Sequence, residues 1–495
     1  MPSEPRVAVA GVPLSEVTVS GLTHDSRRVR PGYLYAALPG SRAHGAAFSA
    51  AAVADGAVAV LTDPAGKADA LAAGVPVVVV PDVRAVLGTV ARWAYGSPAD
   101  SLLLVGVTGT NGKTTTAYLV EAGLRAAGHV TGLIGTIETR IAGRSVPSER
   151  TTPEAPDLQA LFATMVDSGV DAAAMEVSSH ALALGRVDGT VVDVAVFTNL
   201  SQDHLDFHAD MADYFAAKAR LFTPAHAVRA VVDIDDDFGR RLAATASVPV
   251  VTVSPSGRPE ADWRAESVGV GAAGSTATLI GPGGIGAELL VRLPGGFNVD
   301  NAIAAYVALL QAGVTAEEAA AGIGELRSVP GRMERVDIGQ PFLAVVDYAH
   351  TPRAVATLLG ALREVTRGHL LAVLGCGGDR DRGKRPLMGA AVAEGADVAV
   401  LTSDNPRSED PHRILDAMAA GAERIPVAHR ARLVFEPDRA AAIATAVGLA
   451  SAGDTVVVAG KGHEQGQQVG ESLLPFDDRF VLAESLRRLG GWSKA

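Results

Sequence analysis

The chain has 495 residues, several times the usual domain size, which predicts two to four domains with separate cores and excludes a small stapled scaffold. Its 43 Lys and Arg against 55 Asp and Glu leave a net charge of −12, and aromatics make up 4%; this excludes a general nucleic-acid binder but leaves anionic substrates open where positive charge gathers locally. The one cysteine, Cys376, cannot close an intrachain disulfide, the apolar runs at 75–80 and 456–459 are too short for a membrane helix, and the start of the chain lacks a basic-then-apolar signal pattern. The expectation is a cytoplasmic monomer.

Val-rich runs alternate with Ala/Leu/Glu/Arg stretches along the chain, the rhythm of an α/β fold. In the first segment, residues 1–98, Ala57–Leu61 and Pro76–Val80 read as strands after alanine-rich helices. A turn rich in hydroxyl and guanidinium groups, 23–32, precedes the strand-like 33–37; it reads as a diphosphate contact or as a solvated basic turn. Ser97-Pro98 signals a break, and the buried strand 102–107 opens a second domain, 99–330. It leads into Gly-Val-Thr-Gly-Thr-Asn-Gly-Lys-Thr-Thr-Thr at 106–116, followed by a helix-compatible segment, 117–127. Gly109 and Gly112 let backbone N–H groups approach phosphate, Lys113 neutralises β/γ charge, and Thr114 supplies a hydroxyl for Mg²⁺. The loop is a variant, with Val107 where the strict phosphate-loop pattern wants glycine.

Glu176 follows a strand at 171–174, at the sheet edge where α/β folds bind ligands, and a second strand, 192–198, leads to His204. Glu176 suits Mg²⁺ and His204 is a less orthodox ligand; each alone also reads as an ordinary polar strand end. By itself Lys218 reads as a solvated helix lysine. A third domain, 331–495, begins after Val329-Pro330-Gly331. Its loop 402–411, Thr-Ser-Asp-Asn-Pro-Arg-Ser-Glu-Asp-Pro, pairs a carboxylate with a guanidinium suited to grip another carboxylate, which fits an amino acid or a capped helix start.

The phosphate loop, Met-Glu-Val-Ser-Ser-His at 175–180, Asn-Leu-Ser-Gln-Asp-His-Leu-Asp-Phe-His at 199–208, Tyr-Phe-Ala-Ala-Lys at 214–218, Asp-Tyr-Ala-His-Thr-Pro at 347–352 and Gly-Lys-Gly-His-Glu at 460–464 together resemble the Mur ligases of peptidoglycan synthesis. The resemblance spans the chain. It implies a uridine-nucleotide-binding N-terminal α/β domain, a central parallel-sheet ATPase-like domain and a Rossmann-like C-terminal domain. The activity it implies is ATP- and Mg²⁺-dependent amide formation, joining meso-diaminopimelate to the D-glutamyl residue of UDP-N-acetylmuramoyl-L-alanyl-D-glutamate through an acyl phosphate.

The same resemblance assigns ATP to Gly109, Thr110, Asn111, Gly112, Lys113, Thr114 and Thr115, with Asn301 and Asp347 at adenine and ribose and Arg332 reaching the phosphates. It implies metal ligation by Thr114, Glu176, His204 and Lys218, the last as a carbamate, since a plain ammonium beside Mg²⁺ would be repelled. Ser26, Ser41, Arg42 and Ala43 are implied at the uridine nucleotide, and Thr151, Thr152, Ser178 and Arg186 at the muramoyl dipeptide. Some relatives carry glutamine where this chain has Leu184, so that amide contact is absent or replaced. Arg380, Asp404, Asn405, Pro406, Arg407, Gly460 and Glu464 are implied at diaminopimelate, because Asp-Asn-Pro-Arg resembles the signature of members selecting it. The alternatives are an L-lysine-adding member and a folylpolyglutamate synthetase. From outside the family, a phosphate-loop switch would leave residues 404–407 unused, and a UDP-sugar binding module would not need Lys113, Glu176 or Lys218.

Overall fold

A computed structural model of the chain describes residues 6–8, 17–40, 42–148, 150–271 and 274–490. Three main sheets follow one another along it. The first orders its strands Arg6–Ala8, Val77–Val79, Ala59–Thr62, Tyr33–Ala37, Gly21–Thr23, with only Arg6–Ala8 antiparallel. Apolar side chains cover both of its faces, as in parallel sheets generally.

The central sheet has 11 strands. At its middle Leu103–Thr108 lies between Ala172–Glu176 and Val192–Phe197, all parallel. The antiparallel strands Glu138–Ile141 and Arg144–Pro147 extend one side, and Trp263–Gly271, Gly274–Ile280 and Gly286–Val291 extend the other. The near-continuous Val/Ala runs of the middle strands are fully buried because helices pack on both faces. On one face Lys113–Ala126 lies against Gly296–Gln311 and Ala316–Glu325; Gly123 and Gly322 sit at that contact, where a Cβ would overlap Leu309 and the Ala122 carbonyl.

The third sheet orders Glu334–Arg335, Leu343–Asp347, Thr455–Ala459, Leu370–Cys376, Val398–Ser403, Arg432–Phe435, parallel except at its first strand. A separate hairpin, Gly466–Val469 with Ser472–Pro475, follows. Cys376 is a free, buried thiol. Among the described residues no helix is long and apolar enough to cross a membrane.

Register sets the function-bearing ends side by side. Glu176 pairs with Val107 and Phe197 with Thr108, so the loops starting at 109, 177 and 198 leave one edge together. In the third sheet Asp347 and Leu374 both pair with Ala459, and Cys376 with Ser403, which groups the loops after 347, 376, 403 and 459. Parallel strands place ligand loops at their carboxyl ends.

Candidate active site

The phosphate loop turns on two glycines in the left-handed region, Gly109 at φ 152° and Gly112 at φ 87°. At Gly112 a Cβ would overlap Asn301 Oδ1. The helix Lys113–Ala126 starts directly behind it, so its unpaired N–H groups and positive dipole end face the loop. The neighbouring strand end braces the loop. Thr110 N donates to Asn199 O at 2.8 Å, Asn111 N to Asn199 Oδ1 at 3.0 Å, and Thr198 Oγ1 to Asn111 O at 2.6 Å.

Two lysines converge on one carbonyl. Lys113 Nζ donates to Gly109 O and Thr110 O, each at 2.9 Å, and Lys218 Nζ donates to Gly109 O at 2.7 Å. Lys218 is 1% exposed. It projects from the buried side of the helix Met211–Ala219, which Asp210 caps, and lies 4.8 Å from the Tyr214 ring centre. Burial, and then the neighbouring Lys113 charge, pulls the Lys218 amine well below its usual range, while Asp203 opposes this weakly. The solvated-lysine reading of this residue is therefore wrong: tertiary packing buries it.

Glu176 is equally buried, and one residue holds both its oxygens: Thr136 N donates to Oε1 at 2.7 Å and Thr136 Oγ1 to Oε2 at 3.0 Å. His204 adopts φ 54°, and burial lowers its pKa to about 4, leaving a neutral ring. Among the described residues no group of three or more His, Cys, Asp or Glu side chains is ready to hold a metal. A carboxylate, the Thr114 hydroxyl and a neutral imidazole beside a phosphate loop instead fit a Mg²⁺ that arrives with its nucleotide, since that ion favours few protein ligands plus phosphate oxygens.

These groups line a cavity of about 630 Å³ that also takes in Thr151, Thr152, Ser178, Arg186, Asn301, Arg332 and Asp347. Thr152 Oγ1 donates to Glu176 O at 2.9 Å and accepts from Ser178 N at 3.1 Å, and Thr151 Oγ1 meets Thr136 Oγ1 at 2.9 Å. Arg186 Nε pairs with Glu154 at 2.9 Å, a carboxylate that also receives Arg84 and Arg150. Leu184 contributes its carbonyl, which accepts from Arg84 Nη1 at 3.3 Å. Arg332 crosses from the third domain: its guanidinium stacks 4.2 Å from the Tyr348 ring centre and donates to Thr114 Oγ1 at 3.2 Å. Asp347 spends both oxygens on backbone, accepting from Met333 N at 2.8 Å and Ala349 N at 2.7 Å, so it fastens the segment leading into the strand Glu334–Arg335.

The remaining assigned residues lie apart from this cavity. Ser26 begins a short turn capped by Asp25, whose carboxyl is held at about 2, chiefly by its hydrogen bond to Arg27. Arg42 and Ala43 are exposed, and Ser41 lies outside the described residues. Beyond the third sheet's strand ends Asp404 faces Gly460, where a Cβ would come within 2.9 Å of Asp404 Oδ2, and Asn405 faces Glu464, whereas Pro406 and Arg407 lie against Gly378 and Gly377. Arg407 takes φ 52° and donates from Nη1 to Gly378 O at 2.7 Å, while Arg380 is exposed beside Gly377. Thr136, Asp203, Tyr348 and His350 also line the cavity, and sequence reading gave none of them a role. Tyr348 and His350 lay inside a recognised motif; Thr136 has no local signal.

Comparison with known proteins extends this picture. Residues 18–95 match the model for the "Mur ligase family, catalytic domain", 107–309 the "Mur ligase middle domain", and 331–462 the "Mur ligase, glutamate ligase domain". A Streptomyces coelicolor protein named UDP-N-acetylmuramoyl-L-alanyl-D-glutamate–2,6-diaminopimelate ligase is 57% identical, with 99% of each chain covered. A protein of the same name from Corynebacterium glutamicum is 52% identical over 92% of this chain and 89% of its own. A solved structure of a ligase so named superposes with a TM-score of 0.67 at 35% identity, covering 95% of both chains. A Mycobacterium tuberculosis folylpolyglutamate synthase complexed with ADP and AMPPCP shares the fold, with a TM-score of 0.61 at 21% identity over 82% of this chain and 94% of that one.

Proposed function

Because the chain belongs to the Mur ligase family, we propose that it joins meso-diaminopimelate to the D-glutamyl residue of UDP-N-acetylmuramoyl-L-alanyl-D-glutamate, at the expense of ATP. Segments 1–98, 99–330 and 331–495 take the uridine nucleotide, ATP and the amino acid in turn. The substrate carboxylate attacks the γ-phosphoryl group, ADP leaves, the amino group of diaminopimelate adds to the acyl phosphate, and phosphate departs with the amide formed.

The observation that carries this chemistry is the meeting of Lys113 and Lys218 at Gly109, beside Glu176, in a cavity that Arg332 enters from the third domain. Lys113, the loop N–H groups and the helix end stabilise charge on the transferring phosphoryl group. Arg332 adds positive charge when the third domain closes, and closure keeps water from the acyl phosphate. Thr151, Thr152, Ser178 and Arg186 hold the dipeptide near Glu176, and Ser26, Ser41, Arg42 and Ala43 hold the uridine nucleotide.

Among the described residues no carboxylate lies within hydrogen-bonding distance of Lys218, and burial lowers its pKa, which favours the uncharged amine. Such an amine adds to CO₂ and releases a proton, yielding a carbamate anion. Thr114, Glu176, His204 and this carbamate are the groups that would hold Mg²⁺, which when bound neutralises phosphate charge there. In the third domain Arg380, Arg407, Asp404 and Glu464 supply both signs of charge for the far ammonium and carboxylate of the amino acid, with Asn405, Pro406 and Gly460 shaping the loops. The working unit in this reading is a monomer, and the substrates argue for the cytoplasm.

The test is phosphate release with mass analysis of the product, from purified protein given Mg-ATP, the UDP-muramoyl dipeptide and either meso-diaminopimelate or L-lysine. Product with diaminopimelate alone is expected. A lysine product would overturn the role of residues 404–407, and turnover with a folate substrate alone would overturn the muramoyl reading.

A further inference from the structure

A fully buried lysine joins the two loops assigned to the amino acid. Lys461 is 0% exposed, and its Nζ donates to Asn405 Oδ1 and to Glu464 Oε2, each at 2.9 Å. Asn405 Nδ2 donates to the same Glu464 oxygen at 2.9 Å, and Gln468 N donates to Asn405 Oδ1 at 2.9 Å. These partners fix the amide, because the flipped form would aim its NH₂ at two donors. Both polar ends of Asn405 are thus used inside the protein. Glu464 differs: both donors fall on Oε2, and its side chain is 33% exposed, so Oε1 remains open to a ligand.

Beneath this arrangement lies a second buried cation. Arg439 donates to Ser403 O at 3.2 Å and to Ala459 O at 3.0 Å, the last residues of the strands that lead into Asp404 and Gly460. The two loops therefore leave a common base at fixed separation.

We propose that Lys461 and Asn405 are positioning residues that hold Glu464 with one free oxygen as the acceptor for an ammonium group of the diamino acid. This rests on the ligase reading above. Asp404, turned toward the side-chain-free Gly460, supplies the opposing carboxylate. A lysine beneath an ammonium site is tolerable because Glu464 neutralises it at 2.9 Å, and the same contact stops Glu464 from turning away.

The experiment compares steady-state kinetics of the native enzyme, Lys461→Met, Lys461→Gln and Glu464→Gln, varying each substrate in turn. Lys461→Met should raise KM for meso-diaminopimelate by about tenfold to a hundredfold, the loss of one charged hydrogen bond, and leave KM for ATP and the UDP-muramoyl dipeptide within about twofold. Lys461→Gln, which keeps a donor, should recover part of the affinity. Lys461→Met/Glu464→Gln should be no worse than Glu464→Gln alone, because the lysine acts through that carboxylate. An unchanged KM for the amino acid, or a fall in kcat that only follows lost folded protein, would overturn the proposal. If Lys461→Met does not fold, Asn405→Leu carries the same comparison. A native enzyme that makes no amide product refutes the ligase reading; one that makes product with an unmoved KM in the variants refutes only this role.

Discussion

Replacing Arg439 by methionine removes the guanidinium from a site where it and Asp478 are both 0% exposed. Two hydrogen bonds of 2.7 Å to the Asp478 carboxylate vanish, as do those to Ser403 O and Ala459 O. Leaving one partner of a buried pair uncompensated costs about 3–5 kcal/mol, and each weakened carbonyl adds about 1 kcal/mol. Asp478 sits in the first turn of the helix Asp478–Leu489, whose dipole offsets up to about 1 kcal/mol. A net loss of about 4–6 kcal/mol follows, equivalent to at least roughly a thousandfold. A chain of several domains does not melt in one step, so the assay is hydrogen exchange of the amides at 398–403 and 455–459, which reads local opening. The variant should exchange there at least about a thousandfold faster, with the strand at 103–108 unaffected. Arg439→Met/Asp478→Leu should recover all but about 2 kcal/mol, since an apolar pair replaces the ions and only the carbonyls lack donors. A single variant that loses under about 1 kcal/mol, or a double variant no better than the single, would refute the reasoning.

Other outcomes follow from the same contacts. Lys218→Ala should lose at least about a hundredfold in kcat, and formate or acetate should partly restore it by replacing the carbamate; absence of rescue would sink the carbamate role. Burial lowers the Lys218 pKa, so acid protonates the amine as pH falls through that lowered value; ¹³CO₂ labelling of the native enzyme should therefore fade on acidification, and labelling that grew would contradict it. Gly112→Ala forces a side chain to φ 87° and against Asn301, and should raise KM for ATP with little change for diaminopimelate. Burial, and then nearby carboxylates, pushes Asp233 up to about 8 and Asp300 up to about 7. The folded state then binds protons that the unfolded chain has released, so this contribution is full below about pH 4 and is lost as pH rises toward 8. Asp233→Asn should accordingly raise Tm more at pH 8.5 than at pH 6, measured by calorimetry, and the reverse order would be contrary.

The phosphate loop was legible because Gly-Lys-Thr between a buried strand and a helix is a local pattern, and local geometry alone sets Gly109 and Gly112 in the left-handed region. Glu176 was legible from its strand end. Lys218 was not, except through family resemblance: its helix carries no sign of which neighbour buries it, and its partner Gly109 lies far away in the chain. Asn405 and Asp347 were recognised as site residues, yet their hydrogen bonds run to protein groups, which only the packed strand ends reveal. Arg439 sits in an alanine-rich helix that carries no local sign of Asp478 and the two strand ends closing around it. The antiparallel strands 263–291 that widen the central sheet also went unread, because their pairing is not written in the strand–helix rhythm.

The central claim is that ATP activates the substrate's own carboxylate inside the cavity shared by Lys113, Lys218 and Arg332. Its most direct test is to label that D-glutamyl carboxylate with ¹⁸O and follow the label through one turnover with meso-diaminopimelate. The account predicts one ¹⁸O in the released phosphate, because the oxygen bridging carbon and phosphorus leaves with phosphorus. Phosphate free of label, with amide formed, would contradict it.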